Sequence, residues 1–176
     1  MYILTGGVFD GETVKRYIDY VNGNYSKIYC FEAEPESINR TKTFINVNGV
    51  KNIELIENAL WDQKAALRFK LSGAGGSRVI GQGDNSIEVQ AISLDSLCLD
   101  KCDFIKLDIE GAEEKALIGM KDTIQRLHPN LAISVYHKQD DLINISRIVR
   151  KMYPQYKLYL RQYISAPVDT VLYAII

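Results

Sequence analysis

The sequence predicts an α/β fold: a doubly wound, Rossmann-like sheet that is mostly parallel and has helices on both faces. Short apolar runs alternate with segments of helical periodicity along most of the chain, and the last two strand-like runs follow each other without a helix between them. A break in this alternation around residues 66–92 predicts a small antiparallel insertion. With 176 residues, the chain is expected to form a single domain over residues 1–176.

The first half of the chain is predicted to contain three strands and two helices. Apolar residues at helical spacing follow the strand MYIL and stop at Asn22-Gly23, and Pro35 begins a second helix that Asn48-Gly49 ends. The predicted strands are residues 1–4, 27–32 and 52–57, and the predicted helices are residues 12–21 and 35–46.

The second half begins with the insertion and then returns to alternation. Within the insertion, the glycine-rich turns SGAGGS and GQGDNS surround a short apolar pair. His128-Pro129 ends a helix that can divide at Gly119. The final two strands must pair antiparallel, because the loop between them is short. The predicted strands are residues 66–71, 87–92, 103–108, 131–136, 156–163 and 170–176, and the predicted helices are 113–127 and 140–152.

Composition and charge argue against several classes of protein and partner. The formal net charge of −1 gives no reason to expect a nucleic-acid partner. No apolar run reaches the roughly 18 residues of a bilayer span, and the N-terminus lacks the features of a signal peptide. Cys30, Cys98 and Cys102 are predicted to be reduced thiols, because their spacing does not suit structural zinc. We therefore expect a cytoplasmic protein without a membrane partner.

Three polar segments follow predicted strands: TGGVFDG, EAEPE and DIEGAE. In doubly wound sheets, ligands bind beyond the carboxyl ends of the strands, so these segments define the expected site. Glu32 lies about 20 to 25 residues after the glycine turn, where a carboxylate commonly accepts hydrogen bonds from ribose hydroxyls. The pattern predicts a ligand that contains a nucleoside.

The glycine turn does not match the patterns that bind pyrophosphate. TGGVFDG is not G-x-G-x-x-G, and the chain contains no P-loop with its lysine. Acids here suit S-adenosylmethionine (SAM), which has a ribose, an ammonium and a sulfonium but no phosphate. Gly7 and Gly11 would let the backbone approach this ligand, and Asp10 or Glu12 would meet its positive charge. A tight strand-to-helix turn capped by Asp10 explains the same residues about equally well.

The motifs GGVFDGET, YCFEAEPE, NALWD, SLDSL, FIKLDIEGAE and LAISVYHK occur in this order. Together they resemble the FkbM-type methyltransferases, a branch of the class I SAM-dependent methyltransferases. The resemblance extends to YLRQY and DTVLYAI near the end of the chain. It implies a seven-stranded sheet with an antiparallel last strand. It also implies methyl transfer from SAM, usually to an oxygen of a sugar or another small molecule.

The resemblance also implies roles for individual residues. The glycine turn would surround the methionine part of SAM, Glu32 would hold its ribose, and residues 58–60 would lie at the adenine ring. We expect Glu32→Ala to weaken SAM binding by about 1.5 to 3 kcal/mol and to leave the fold intact. The predicted cofactor-binding residues are Thr5, Gly7, Asp10, Gly11, Glu32, Asn58, Ala59, Leu60, Asp108 and Glu110.

Three features depart from the family pattern. Thr5 stands where the family usually has an aspartate, and Gln162 where it commonly has a histidine. The chain also begins almost at its first strand, whereas relatives often have a preceding helical segment over the cofactor. We expect a more exposed and more weakly bound SAM where this segment is absent, and tighter binding in Thr5→Asp if the missing aspartate costs affinity.

Asp108, His137 and Lys106 are the candidate catalytic residues. Asp108 and His137 each end a strand at the expected site, although DIEGAE is also a reasonable helix cap and a lone histidine is often structural. Lys106 is expected to pair with Asp108 or Glu110, because burying an unpaired lysine is costly. No metal site is predicted: Asp108 and Glu110 could bind an ion, but the sequence shows no further ligands.

Two other classes of protein fit parts of the sequence. A nucleotide-dependent oxidoreductase shares the architecture but needs the G-x-G-x-x-G motif that is missing. A SAM-binding or interaction module without turnover is favoured by Thr5, Gln162 and the short N-terminal part. For the methyltransferase, the expected partner is a small-molecule acceptor.

Overall fold

The strands and helices follow the order that the periodicity predicts. The computed structural model describes residues 1–70, 78–79, 86–165 and 168–176. Its strands are β1 (Tyr2–Gly6), β2 (Lys27–Phe31), β3 (Ile53–Ile56), β4 (Ala59–Leu60), β5 (Ala65–Lys70), β6 (Arg78–Val79), β7 (Ser86–Ile92), β8 (Phe104–Leu107), β9 (Asn130–Ser134), β10 (Lys157–Gln162) and β11 (Thr170–Ile175). Its helices are α1 (Glu12–Tyr20), α2 (Pro35–Val47), α3 (Glu113–Ile118), α4 (Lys121–Leu127) and α5 (Asp141–Met152), with a 3₁₀ turn at Leu94–Leu97. Over these residues, no helix has both the length and the apolar character that a bilayer crossing requires.

Seven of the strands form the main sheet, in the order β10-β11-β9-β8-β1-β2-β3. The strands from β9 to β3 in this order pair in parallel, whereas β11 lies between β9 and β10 and is antiparallel to both. This confirms the predicted fold class. The reversal follows from the connection, because the seven residues between Gln162 and Thr170 are too few for a crossover that returns the chain to the same end of the sheet.

The insertion forms a second sheet, in the order β4-β7-β5-β6. β5 is antiparallel to β7 and to β6, which confirms the predicted antiparallel insertion. β4 pairs in parallel with β7, and the sequence does not reveal it because two residues are too few to show a periodicity. The predicted turns SGAGGS and GQGDNS lie outside the described residues, apart from Ser86.

Helices cover both faces of the main sheet. On one face, Val14 of α1 is buried in a cluster with Ile3 of β1 and Ile28 of β2. On the other face, Leu117 of α3 and Ile124 of α4 are buried in a larger cluster that includes residues of β8, β9 and α5. This two-sided packing is what a doubly wound parallel sheet requires, because both of its faces are apolar.

The predicted helix over residues 113–127 divides at Gly119 into α3 and α4. The backbone of Gly119 packs against the segment that follows β4. A Cβ atom at this position would lie far inside van der Waals contact with the carbonyl oxygen of Trp61. The glycine therefore allows the α3–α4 junction to approach the second sheet.

The carboxyl ends of β1, β2, β8 and β9 lie along one edge of the main sheet. The chain leaves β1 and β8 through residues with left-handed backbone: Gly7, Phe9 and Gly11 after β1, and Glu110 and Gly111 after β8. This conformation is uncommon for residues other than glycine, so the surroundings must hold Phe9 and Glu110 in it. Both turns present backbone and side chains at the edge where such sheets bind ligands.

Candidate functional site

A cleft of about 830 Å³, including the space at its open mouth, lies at the carboxyl ends of β1, β2 and β8. The topology brings the glycine turn, the acid at the end of β2 and the DIEGAE segment to this one cavity. The predicted site residues that line it are Gly7, Glu32, Asn58, Ala59, Leu60, Lys106, Asp108 and Glu110. The lining residues that sequence reasoning missed are Phe9, Thr13, Phe31, Ala33, Glu34, Ser37, Trp61, Phe69, Val79, Ile109 and Ala112.

Four predicted site residues do not line the cleft: Thr5, Asp10, Gly11 and His137. Thr5 is fully buried within β1. Asp10 accepts a hydrogen bond from the backbone N–H of Glu12 at 2.9 Å, which is the local turn role that the sequence also allowed. Gly11 lies against the ring of Phe44, where a Cβ would come within 2.5 Å of Cγ. The cofactor contacts assigned to Thr5, Asp10 and Gly11 and the catalytic role assigned to His137 stay predictions.

Gly7 is needed where two segments of the chain approach each other closely. Its backbone N–H donates to the carbonyl oxygen of Phe31 at 3.1 Å, and its φ is 77°. A side chain here would collide with the carbonyl oxygen of Asp108. Gly7 therefore allows the turn after β1 to meet the segment after β8 at the cleft.

The carboxylate of Glu32 holds the glycine turn in place. Its Oε2 accepts hydrogen bonds from the backbone N–H groups of Val8 (3.2 Å) and Phe9 (3.1 Å), and its Oε1 from those of Ala33 (2.8 Å) and Glu34 (3.0 Å). A carboxylate has about four acceptor positions, so these four donors occupy its ordinary capacity. Ribose hydroxyls at this carboxylate would have to share it with the N–H groups or replace some of them.

Glu34 is a second acid in the wall of the cleft. It is 5% exposed, and its Oε2 accepts a hydrogen bond from Ser37 Oγ at 2.9 Å. The repeated acid in EAEPE was the signal in the sequence that could have found it. The aromatic side chains of Phe9, Phe31 and Trp61 also line the cleft, and no sequence pattern brings these distant residues together.

Asp108 makes several polar contacts at the end of β8. Its Oδ2 lies 3.1 Å from Lys106 Nζ, which confirms that Lys106 pairs with one of the two predicted acids. Its Oδ1 accepts a hydrogen bond from the hydroxyl of Tyr136 at 3.2 Å. Burial favours the neutral acid, but the Lys106 ammonium, a hydrogen bond with Ser134 and the nearby His137 together outweigh burial and keep the pKa of Asp108 below its ordinary value. Asp108 therefore presents a carboxylate to the cleft at neutral pH.

His137 follows β9, and its imidazole lies close to two of the acids that line the cleft. Its Nε2 lies 3.6 Å from Oδ1 of Asp108 and 3.7 Å from Oε2 of Glu110. Its Nδ1 lies 3.0 Å from Oε1 of Glu113. Burial disfavours the charged imidazole, but Glu113 and the other two carboxylates outweigh it and raise the pKa of His137 above its ordinary value.

Glu113 is a candidate that could hardly be selected from the sequence, because acids in the first turn of a helix are common. It is fully buried, and its Oε1 also accepts a hydrogen bond from the backbone N–H of Ile109 at 2.9 Å. Asp108, Glu113 and His137 each offer a possible metal ligand, and these atoms lie within 4.8 Å of one another. The structure thus brings two possible ligands close to Asp108 that the sequence did not show.

The fold and site together define a class of protein. An α/β sheet of seven strands, with its last strand antiparallel and a glycine turn and an acid after its first two strands, is the Rossmann-like methyltransferase fold. Comparison with known proteins gives the family. The family model for the methyltransferase FkbM domain matches residues 7–163, so the chain belongs to the FkbM methyltransferase family.

Individual relatives agree with this assignment. The chain is 26% identical over 147 residues to the 2-O-methyltransferase NoeI of Sinorhizobium fredii, a match that covers 70% of this chain and 59% of the relative. The crystal structure of the methyltransferase FkbM from Methylobacillus flagellatus superposes with a TM-score of 0.83 at 21% identity, covering 99% of this chain and 43% of that one. The chain thus spans less than two thirds of the length of either relative.

A more distant structure shows the same fold with a ligand. Aeropyrum pernix fibrillarin, solved in complex with natively bound S-adenosyl-L-methionine, superposes with a TM-score of 0.60 at 12% identity. The match covers 99% of this chain and 66% of fibrillarin. At this identity the likeness concerns the fold alone.

Proposed function

We propose that the chain catalyses SAM-dependent methyl transfer to an oxygen of a sugar or another small molecule. The main observation in support is one cleft that is lined by Glu32, by Gly7 of the glycine turn, and by Asp108 and Glu110 after β8. The Glu32 carboxylate suits a ribose, and the carboxylates after β8 suit the charged methyl-donor part of SAM. Membership of the FkbM family agrees with this interpretation.

The charges of the cleft favour a cationic ligand over a pyrophosphate. Four carboxylates line it, from Glu32, Glu34, Asp108 and Glu110. Lys106 is the one basic residue in its described lining, and it is paired with Asp108. An ammonium or sulfonium is attracted by this excess of negative charge, whereas a pyrophosphate is repelled. The cleft therefore fits SAM better than a nicotinamide dinucleotide, which disfavours the oxidoreductase.

The part of the cleft lining that residues 58–60 contribute suits the adenine ring. Ala59 and Leu60 of β4 are buried side chains that line the cleft, and Asn58 stands beside them with a polar amide. An apolar surface with one amide can bind the face of a purine and one of its edges. This placement agrees with the position of the adenine that the family resemblance implies.

The residues at the β8 end suit methyl transfer. When bound, SAM supplies a methyl group on a sulfonium, which reacts with an acceptor oxygen by direct displacement. The chain must then align the acceptor and take up its proton. Asp108 presents a carboxylate to the cleft, and the Lys106 ammonium helps to keep it charged. Nε2 of His137 lies 3.6 Å from Oδ1 of this carboxylate. We assign uptake of the acceptor's proton to Asp108, Lys106 and His137 together.

Calorimetric titration tests the cofactor. We expect SAM to bind the parent chain saturably with one site per chain, and NAD to bind more weakly or not at all. A folded chain that binds NAD but not SAM would contradict the proposal in favour of the oxidoreductase.

A transfer assay tests the reaction. The relative NoeI is named a 2-O-methyltransferase, so sugars with a free 2-hydroxyl are the first acceptors to supply with methyl-labelled SAM. Asp108→Asn should slow transfer by about 10²- to 10⁴-fold. The matched control is Asp19→Asn, which removes an exposed carboxylate that pairs with Lys15 on α1, and it should keep the parent rate. SAM binding without transfer to any acceptor would instead favour a binding module.

A further inference from the structure

Glu113 is a buried acid that does not line the cleft. Its side chain in α3 is fully buried, and its Oε1 accepts a hydrogen bond from the backbone N–H of Ile109 at 2.9 Å. The same oxygen lies 3.0 Å from Nδ1 of His137. Its Oε2 is buried and has no hydrogen-bond partner among the described residues. A carboxylate in such a place needs a partner that offers a proton or a positive charge, and the imidazole of His137 is placed to be that partner.

The imidazole of His137 lies between this buried acid and an acid of the cleft. Its Nε2 lies 3.6 Å from Oδ1 of Asp108, whereas its Nδ1 is the nitrogen near Glu113. The first separation exceeds that of a hydrogen bond, and the second has the right length but is not well directed. Hydrogen bonds between catalytic groups are often long or poorly aligned before the substrate binds, and they tighten in its presence. The ring is therefore placed to connect the two acids.

The acid at Nδ1 decides where the neutral ring carries its proton. A neutral imidazole has one N–H and one acceptor nitrogen, and the hydrogen bond at one nitrogen sets the state of the other. The Glu113 carboxylate can only accept, so it keeps the proton on Nδ1 and leaves Nε2 as a free base. The carboxylates of Asp108 and Glu110, at 3.6 and 3.7 Å from Nε2, favour the arrival of a second proton there. The buried Asp141 of α5 is a further acid that interacts electrostatically with the ring.

Asp108 and His137 differ in how strongly they hold a proton. Despite its burial, Asp108 has a pKa below its ordinary value, because Lys106 and its other polar neighbours outweigh burial, so its carboxylate is a weak base. Despite its burial, His137 has a pKa above its ordinary value, because Glu113 and the other two carboxylates stabilise the imidazolium. A proton that Asp108 takes up from an acceptor is therefore held more strongly at Nε2 of His137.

We propose that Glu113 is the positioning residue of His137 and holds its ring so that Nε2 takes over the proton that Asp108 receives from the acceptor. This role depends on the proposed methyl transfer. As the acceptor oxygen gains the methyl group, its O–H bond breaks and the proton binds to Asp108. The proton then moves to Nε2, Asp108 becomes a carboxylate again, and the charge of the imidazolium is balanced by Glu113.

NMR of the imidazole nitrogens tests the position of the ring without any methyl transfer. The full chain is labelled with ¹⁵N-histidine and titrated with pH, and His128, which stacks on Tyr153 outside the site, is the internal reference. In the parent, we expect the neutral ring of His137 to carry its proton on Nδ1. In Glu113→Gln, the amide oxygen can still accept from Ile109 and from Nδ1, but the negative charge is lost. The protonation midpoint of His137 should therefore fall by about 1 to 3 pH units, and that of His128 should stay unchanged.

Kinetics separate a positioning role from a merely structural one. Methyl-labelled SAM is supplied with sugars that have a free 2-hydroxyl, and kcat and KM are measured on those that the parent methylates. Glu113→Gln should lower kcat by about tenfold or more, because the imidazolium loses its balancing charge, and should leave the KM for SAM near that of the parent. The matched control is Glu114→Gln, which removes a partly exposed carboxylate from the next position of α3 and should keep the parent kcat.

Two results would overturn this role of Glu113: a neutral ring with its proton on Nε2 in the parent, or a folded Glu113→Gln that keeps the parent midpoint of His137 or the parent kcat. The first measurement uses the parent alone, so it decides even if Glu113→Gln does not fold. A chain that shows the expected ring and midpoints but methylates no acceptor contradicts the proposed function, and the proton transfer with it, but supports the positioning of His137. The parent kcat in Glu113→Gln contradicts the role of Glu113 alone.

Discussion

Replacing Glu32 with glutamine should destabilise the protein as well as weaken SAM binding. Its two carboxylate oxygens each accept two backbone N–H groups, one pair from Val8 and Phe9 and the other from Ala33 and Glu34. In Glu32→Gln the amide oxygen can serve one pair, but the amide NH₂ must face the other pair, donor against donor. Two backbone N–H groups therefore lose their acceptor. This differs from the expectation, based on the sequence alone, that removal of the Glu32 side chain leaves the fold intact.

The size of the effect follows from these contacts. An N–H group left without its acceptor costs about 1 to 3 kcal/mol when buried. Glu32 lines an open cleft, so water offsets part of that cost. We expect a loss of about 2 to 4 kcal/mol in the free energy of unfolding. With a urea m-value of about 2 kcal/mol/M, the unfolding midpoint should fall by about 1 to 2 M.

Urea unfolding followed by circular dichroism measures this loss. The matched control is Glu54→Gln in β3, where the carboxylate is 48% exposed and pairs with Lys27. An exposed ion pair contributes about 0 to 1 kcal/mol, so the control midpoint should stay near that of the parent. Equal midpoints for Glu32→Gln and Glu54→Gln would refute the structural role of Glu32. If Glu32→Gln is destabilised but binds SAM with the parent affinity, the carboxylate supports the turn without contacting the ribose.

Three further changes test other parts of the structure. Thr5 is fully buried and does not line the cleft. Thr5→Asp should therefore lower the urea midpoint, because it buries a charge, and should not tighten SAM binding. Tighter SAM binding at the parent stability would contradict this. Gly119→Ala places a Cβ against the backbone carbonyl of Trp61 and should destabilise the fold by about 3 kcal/mol or more. Gly49→Ala meets open space and should cost only the roughly 1 to 2 kcal/mol of a side chain at its φ of 59° in the same unfolding assay. Of the three cysteines, Cys98 alone is exposed, and burial raises the pKa of each of the other two to about 12. Ellman's reagent at pH 8 should therefore react quickly with one thiol in the folded chain and with three in urea; rapid reaction of all three without urea would refute the buried positions.

The sequence determined the fold class because strand and helix periodicities are local properties of the chain. The alternation of short apolar runs with helical segments predicts a parallel sheet, and the missing helix between residues 163 and 170 predicts the antiparallel pair of β10 and β11. Polar segments after the strands likewise located the cleft. The pairing of Lys106 with an acid also followed from the sequence, because a lysine in an apolar strand needs a partner.

Only the tertiary structure decided which of the polar residues meet. His137 and Glu113 lie 24 positions apart in the sequence and come from different elements, yet their side chains are 3.0 Å apart because β8 and β9 are neighbours in the sheet. Glu32 was expected to hold a ligand, but the fold bends the glycine turn so that four N–H groups point at its carboxylate. Thr5 belongs to a motif at the site, but its position in β1 places its side chain in the interior. Periodicity specifies each element separately, whereas these contacts depend on how neighbouring strands and the turns after them are placed in three dimensions.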